Sequence, residues 1–177
     1  MLYRVPLHAL CLTAALCATP VSAAAAPFTV RASQDPLGSH VRGATPAMND
    51  LIARGASRSQ SFKKLIEELN ASDVVVYIEA SNAVPAGLDG RLTFMTAAGG
   101  VRYLHVQVVT GLSFEDLVSV AGHELQHAVE VAAHRDVRDA AGLATLYELI
   151  GIPSPVQNRY DTAAARIMGR RVRAELG

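Results

Sequence analysis

The chain has 177 residues, 50% hydrophobic and 18% charged, which suits a single folded domain and excludes wholesale disorder. Its 16 basic and 16 acidic residues balance, so nothing marks nucleic acid or an anionic membrane as the main partner.

Residues 1–23 read as a removable export signal rather than part of the fold. Arg4 supplies the early positive charge, an apolar run follows from Pro6, and Val21, Ser22 and Ala23 offer small residues for cleavage after Ala23. His8 interrupts an apolar run already too short for a comfortable membrane span. Leu16 stands before Cys17 where a lipoprotein signal wants a small residue. The expected product is periplasmic or secreted, with no stable membrane insertion. Both cysteines, Cys11 and Cys17, lie in this segment, so the mature chain would carry no disulfide and would depend on its core. The sequence sets no oligomeric state.

Residues 24–44 read as a flexible lead-in, with one short strand near Phe28–Ala32. The folded domain is expected over 45–177. Thr45 as N-cap and Pro46 at the first helical position open a helix. Met48, Leu51 and Ile52 share its apolar face, and Gly55 should end it. Ser59–Asn70 predicts a second helix, with Phe62, Leu65, Ile66 and Leu69 at helical spacing. The β-branched run Val74–Ala80 then reads as a buried strand. Arg91–Ala97 and Val101–Val109 read as two more strands, joined by a hairpin turn at Ala98–Gly100. The simplest arrangement is three sequential antiparallel strands. Ser113 with Asp116 resembles a capping box for a helix from Phe114 to about His134. Asp136 or Asp139 can cap the next helix, which runs to Ile150 and is broken by Gly151–Pro155. Asp161–Glu175 is the last helix. The fold class is α+β.

The chemistry concentrates in His123-Glu124-Leu125-Gln126-His127. On a helix His123 and His127 point the same way, about 6 Å apart along the axis, so both imidazoles can meet one zinc ion. Glu124 projects about 100° round from His123. It can reach a water beside the metal without ligating, and act as general base. The neighbours Val120, Ala121, Leu125, Gln126, Ala128 and Val129 are uncharged, so the site sits on a helix that can be buried.

This motif, Val120 to Val129, resembles the extended signature of the zincin metallopeptidases, which hydrolyse peptide bonds in peptide or protein substrates. The order of elements is also similar: a sheet, the HExxH helix, then a mostly helical C-terminal part. The resemblance implies a zinc cofactor and a substrate cleft lined by the sheet's edge strand, here a strand between Arg91 and Val109, with the one starting at Val101 first.

The third ligand must be sought separately. Glu130 faces the same way as His127 one turn on, and suits a partner for that imidazole better than a ligand. His134 lies about 10 Å beyond His127 on a straight helix. The metzincin spacing fails, because Glu130 and Ala133 occupy its Gly and His positions. The gluzincin branch takes a Glu from a later helix, often in a Glu-small-x-Ala context. Asp161-Thr162-Ala163-Ala164 resembles that form with Asp for Glu, and small Ala163 and Ala164 would let the helices pack closely. Asp161 therefore stands first, with Glu148 the alternative. An N-cap role for Asp161 and a solvated face for Glu148 are the plainer readings.

Tyr147, Tyr160 and His134 are residue types that can stabilise an oxyanion, although packing or surface placement suits each better. Arg166, Arg170 and Arg173 share a helix face, which reads as solvated or as a contact for an acidic partner. A metal-stabilised binding domain without peptidase activity, or a zinc hydrolase acting on cell-wall material, are the other functions compatible with these residues.

Overall fold

A computed structural model describes residues 40–153 and 160–177. The expected export signal and the strand expected near Phe28–Ala32 lie outside them. Among the described residues, no helix is long and apolar enough to cross a membrane.

The elements, in order, are β1 (Val41–Gly43), α1 (Pro46–Arg58), α2 (Gln60–Asn70), β2 (Val74–Ser81), β3 (Gly90–Ala98) and β4 (Val101–Val109). There follow α3 (Phe114–Ala133), α4 (Ala140–Ile150), β5 (Ile152–Pro153), β6 (Tyr160–Asp161) and α5 (Ala163–Leu176). The fold is α+β, with a small mixed sheet in the order β1-β2-β4-β3.

That order corrects the expectation of three sequential antiparallel strands. β1 and β2 are parallel, β2 and β4 are parallel, and only β3 with β4 is antiparallel. The eight residues between β2 and β3 are long enough to skip a position in the sheet. β4 takes the interior because Leu104, Val106 and Val108 are fully buried, whereas β3 is half-buried at best. The edge strand before the long helix is therefore β3, not the strand starting at Val101. β1 falls in what composition suggested was a flexible lead-in. The hairpin at Gly99 and Gly100 does form, with both glycines at positive φ, 59° and 82°.

One sheet face buries Val41, Val74, Val76, Ile78, Leu104, Val106 and Val108 against the helices. Phe62, Leu65 and Leu69 of α2 and Val118, Ala121, Leu125 and Ala128 of α3 fill that core. On the other face Gln107 bridges the carboxylate of Glu79 and the guanidinium of Arg91, both at 2.6 Å.

Gly55 does not end α1, which continues to Arg58. A Cβ there would lie 2.9 Å from Val118 Cγ1, so the glycine serves close packing against α3. Ser59 separates α1 from α2, and its hydroxyl accepts from Phe62 N. Ser113 caps α3 and Asp139 caps α4 in the same manner.

The C-terminus of α3 is tied to the sheet by Arg102 of β4, whose side chain is fully buried. Its guanidinium donates to both carboxylate oxygens of Asp73, at 3.0 and 2.6 Å. It also donates to the carbonyls of Val131 and His134, at 2.8 and 2.7 Å. A buried cation is thus satisfied by a carboxylate and by carbonyls at the helix end, which accept from it besides their backbone donors.

Candidate metal centre

α3 carries His123 and His127 one turn apart, and β6, just before α5, brings Asp161 to them. Ser119 of α3 donates to the carbonyl of Gly169 at 2.9 Å. Gly122 faces Val172, and a Cβ on Gly169 would stand 3.3 Å from His123 Cβ. Small residues on both helices therefore let α5 approach the imidazoles. Ala163 and Ala164, expected to provide this packing, are exposed, and the buried face is Ala165, Gly169, Val172 and Leu176.

Asp161 lies in the two-residue strand β6, paired with Ile152 of β5, rather than in the last helix. The N-cap of α5 is Thr162, whose hydroxyl accepts from Ala165 N at 3.1 Å. Asp161 is thereby free of the capping role. Its Oδ1 lies 3.3 Å from His123 Nε2 and 3.6 Å from His127 Nε2, and it accepts from Thr162 N at 2.7 Å.

These separations can be set against those of an ion pair and those of a metal site. Charge-assisted N–H···O contacts close to about 2.7–2.9 Å. Ligand atoms about 2.0–2.1 Å from a tetrahedral centre stand roughly 3.3 Å from one another. Two imidazole nitrogens aimed at one carboxylate oxygen at 3.3 and 3.6 Å suit the second. Among the described residues, His123, His127 and Asp161 form the group able to hold a metal ion, with donor atoms all within 4.8 Å. Glu148 is exposed on α4 and outside this group.

Glu130 turns its carboxylate to the far side of His127. Its Oε2 meets His127 Nδ1 at 2.9 Å, and its Oε1 accepts from the Thr162 hydroxyl at 2.6 Å. With a proton on Nδ1, the Nε2 lone pair faces Asp161 and a metal. Burial and the charge of His127 hold the His123 imidazole below its usual range. Burial acts the same way on His127, but Asp161 and Glu130 outweigh it and raise its pKa to about 9. The same contacts hold Asp161 far below the usual carboxylate range, despite the opposing effect of burial. The metal-free site thus keeps its proton on His127.

Glu124 is buried, and no hydrogen-bond donor reaches its carboxylate among the described residues. Burial pushes its pKa up to about 7. It lies against β3, where a Cβ on Gly90 would stand 2.9 Å from Glu124 Oε1. An unpaired buried carboxylate of this kind is uncommon unless chemistry requires it. It opens on a cleft of about 410 Å³ lined by Gly90, Val120, His123, Asp161, Arg166 and Arg170, among others.

Tyr147, Tyr160 and His134 do not line this cleft. The Tyr147 hydroxyl donates to the carbonyl of His127 at 3.1 Å, and its ring packs edge-on against that imidazole. His134 caps α3, and Tyr160 is exposed on β6. The polar groups that do reach the cleft include two arginines of the α5 stripe, Arg166 and Arg170. Arg166 Nε donates to Asp161 Oδ2 at 2.7 Å. The sequence signal for it was its place one turn into the helix that begins just after Asp161.

Comparison with protein-family models, with curated proteins and with solved structures finds no match for this chain.

Proposed function

We propose that this chain is an exported, zinc-dependent metallopeptidase. The observation that carries the reading is the convergence of His123 Nε2 and His127 Nε2 on one oxygen of Asp161, beside a buried carboxylate without a donor. The HExxH motif resembles that of the zincins, in a variant whose third ligand is an aspartate.

His123, His127 and Asp161 would hold the zinc ion, which would act as a Lewis acid toward a substrate carbonyl and lower the pKa of water. Glu124 takes the proton from the attacking water and delivers it to the leaving amine. Its pKa of about 7 suits a group that must accept and return a proton near neutral pH. Glu130 and Thr162 fix the imidazole of His127 and the junction carrying Asp161. β3 is the outer strand of the sheet and passes Glu124 at Gly90. An extended peptide adding to its open edge would bring a carbonyl to the cleft.

Glu124→Gln tests the reading. The variant should bind one zinc ion per chain and lose peptide hydrolysis by at least about 1,000-fold. Full hydrolytic activity in a zinc-loaded Glu124→Gln protein would refute the assignment.

A further inference from the structure

We propose that the cleft beside the metal centre takes peptides bearing an acidic side chain, and that Arg170 recognises it. The inference rests on the peptidase reading and names its substrate class.

α5 presents Arg166, Arg170 and Arg173 at successive turns, but the three have different surroundings. Arg173 Nε donates to Asp116 Oδ1 at 3.0 Å. Arg166 Nε is held by Asp161 Oδ2 at 2.7 Å. Arg170 lines the cleft with Ser119, Val120 and His123, and no acceptor meets it among the described residues. Its guanidinium is the cation of this stripe that has no internal partner. A planar fork of donors suits a carboxylate, which it can bind through two parallel hydrogen bonds.

The position fits a substrate side chain. Arg170 lies one turn, about 6 Å, beyond Arg166 along α5. An extended peptide advances about 3.3 Å per residue, and Arg170 lines the same cleft as His123 and Asp161, so a peptide with a carbonyl at the metal centre carries its neighbouring side chains past it. Charge acts in the same direction. The carboxylates on the cleft are Asp89, Glu124 and Asp161. A divalent ion together with Arg166 and Arg170 outweighs them, leaving the loaded cleft positive.

The test uses pairs of fluorescein-labelled hexapeptides that differ only in Glu or Gln at one position, with that position scanned along the peptide. Fluorescence anisotropy measures their binding to the zinc-loaded Glu124→Gln protein, which does not turn them over. At one position the Glu peptide should bind about tenfold tighter, as expected for a partly exposed charge-assisted contact. Arg170→Ala should abolish that preference and Arg170→Glu should reverse it, with zinc content and circular dichroism showing that each variant is folded. Equal binding of every pair, or a preference that survives Arg170→Glu, would overturn the proposal. Incubating the same peptides with the protein carrying Glu124 separates the two readings. Discrimination in binding without cleavage would defeat the peptidase assignment while leaving recognition by Arg170 in place.

Discussion

Replacing Glu130 with Gln keeps the shape of the side chain and removes its charge. In the native protein the carboxylate meets His127 Nδ1 at 2.9 Å, with the two side chains only 13% and 7% exposed, so solvent screens the contact little. A hydrogen bond to a charged group contributes about 1.5–3 kcal/mol, against about 0.5–1.5 for a neutral one. The difference, about 1–1.5 kcal/mol, corresponds to a zinc affinity weaker by about tenfold, the lower end of the range for groups that orient a metal-binding histidine. The amide must also satisfy the Thr162 hydroxyl, which donates to the native carboxylate. The loss should grow with pH. Asp161 and Glu130 hold the metal-free His127 protonated up to about pH 9, and this proton competes with the metal. Removing the carboxylate weakens the competitor as well, so the deficit is only a few-fold at pH 7 and approaches tenfold near pH 9. Competition against a chromogenic chelator across this range measures it. A variant within twofold of the native affinity at every pH would refute the role given to Glu130.

Two other substitutions probe the frame around the site. Gly90→Ala puts a Cβ 2.6 Å from Val120 Cγ1 and 2.9 Å from Glu124 Oε1. It should leave zinc content unchanged while lowering kcat by about 10- to 100-fold through displacement of the base, as steady-state kinetics on a peptide substrate would show. Arg102→Met removes the donors to Asp73, Val131 and His134. Those two carbonyls keep backbone donors from His134 N and Val137 N, so the loss should be about 3 kcal/mol, or roughly 10 °C in Tm, measured by thermal denaturation. Arg102 also holds the Asp73 carboxyl below its usual value of 3.8. That contribution is complete above pH 3.8 and disappears as pH falls through the lowered pKa. Native stability should therefore show an acid-side decline that Arg102→Met lacks.

Helices were the legible part of this chain, because Thr45, Ser59, Ser113 and Asp139 each announce a start through a side chain that caps it. The order of strands was not. The alternation in Val101–Val109 separates its two faces correctly, but nothing local says that this strand lies between β2 and β3. Gly55 misled for a related reason, since a glycine that permits helix–helix contact looks the same in sequence as one that ends a helix. At the site, spacing alone brought His123, Glu124 and His127 together and assigned Glu130 to the far side of an imidazole. Asp161 depended on a chain reversal through β5 and β6 that places it before, rather than within, α5. The arginines of α5 could not be told apart by periodicity, because their differences lie in what α3 and Asp161 present to them.

Zinc content by mass spectrometry, after loading and exhaustive dialysis, tests the metal centre most directly when the native protein, Asp161→Ala and Glu148→Ala are measured together. The native protein and Glu148→Ala should each retain one ion per chain, and Asp161→Ala should retain little. A native protein that keeps no metal, or an Asp161→Ala protein that keeps it as firmly as the native one, would contradict the assignment of His123, His127 and Asp161 as one metal site.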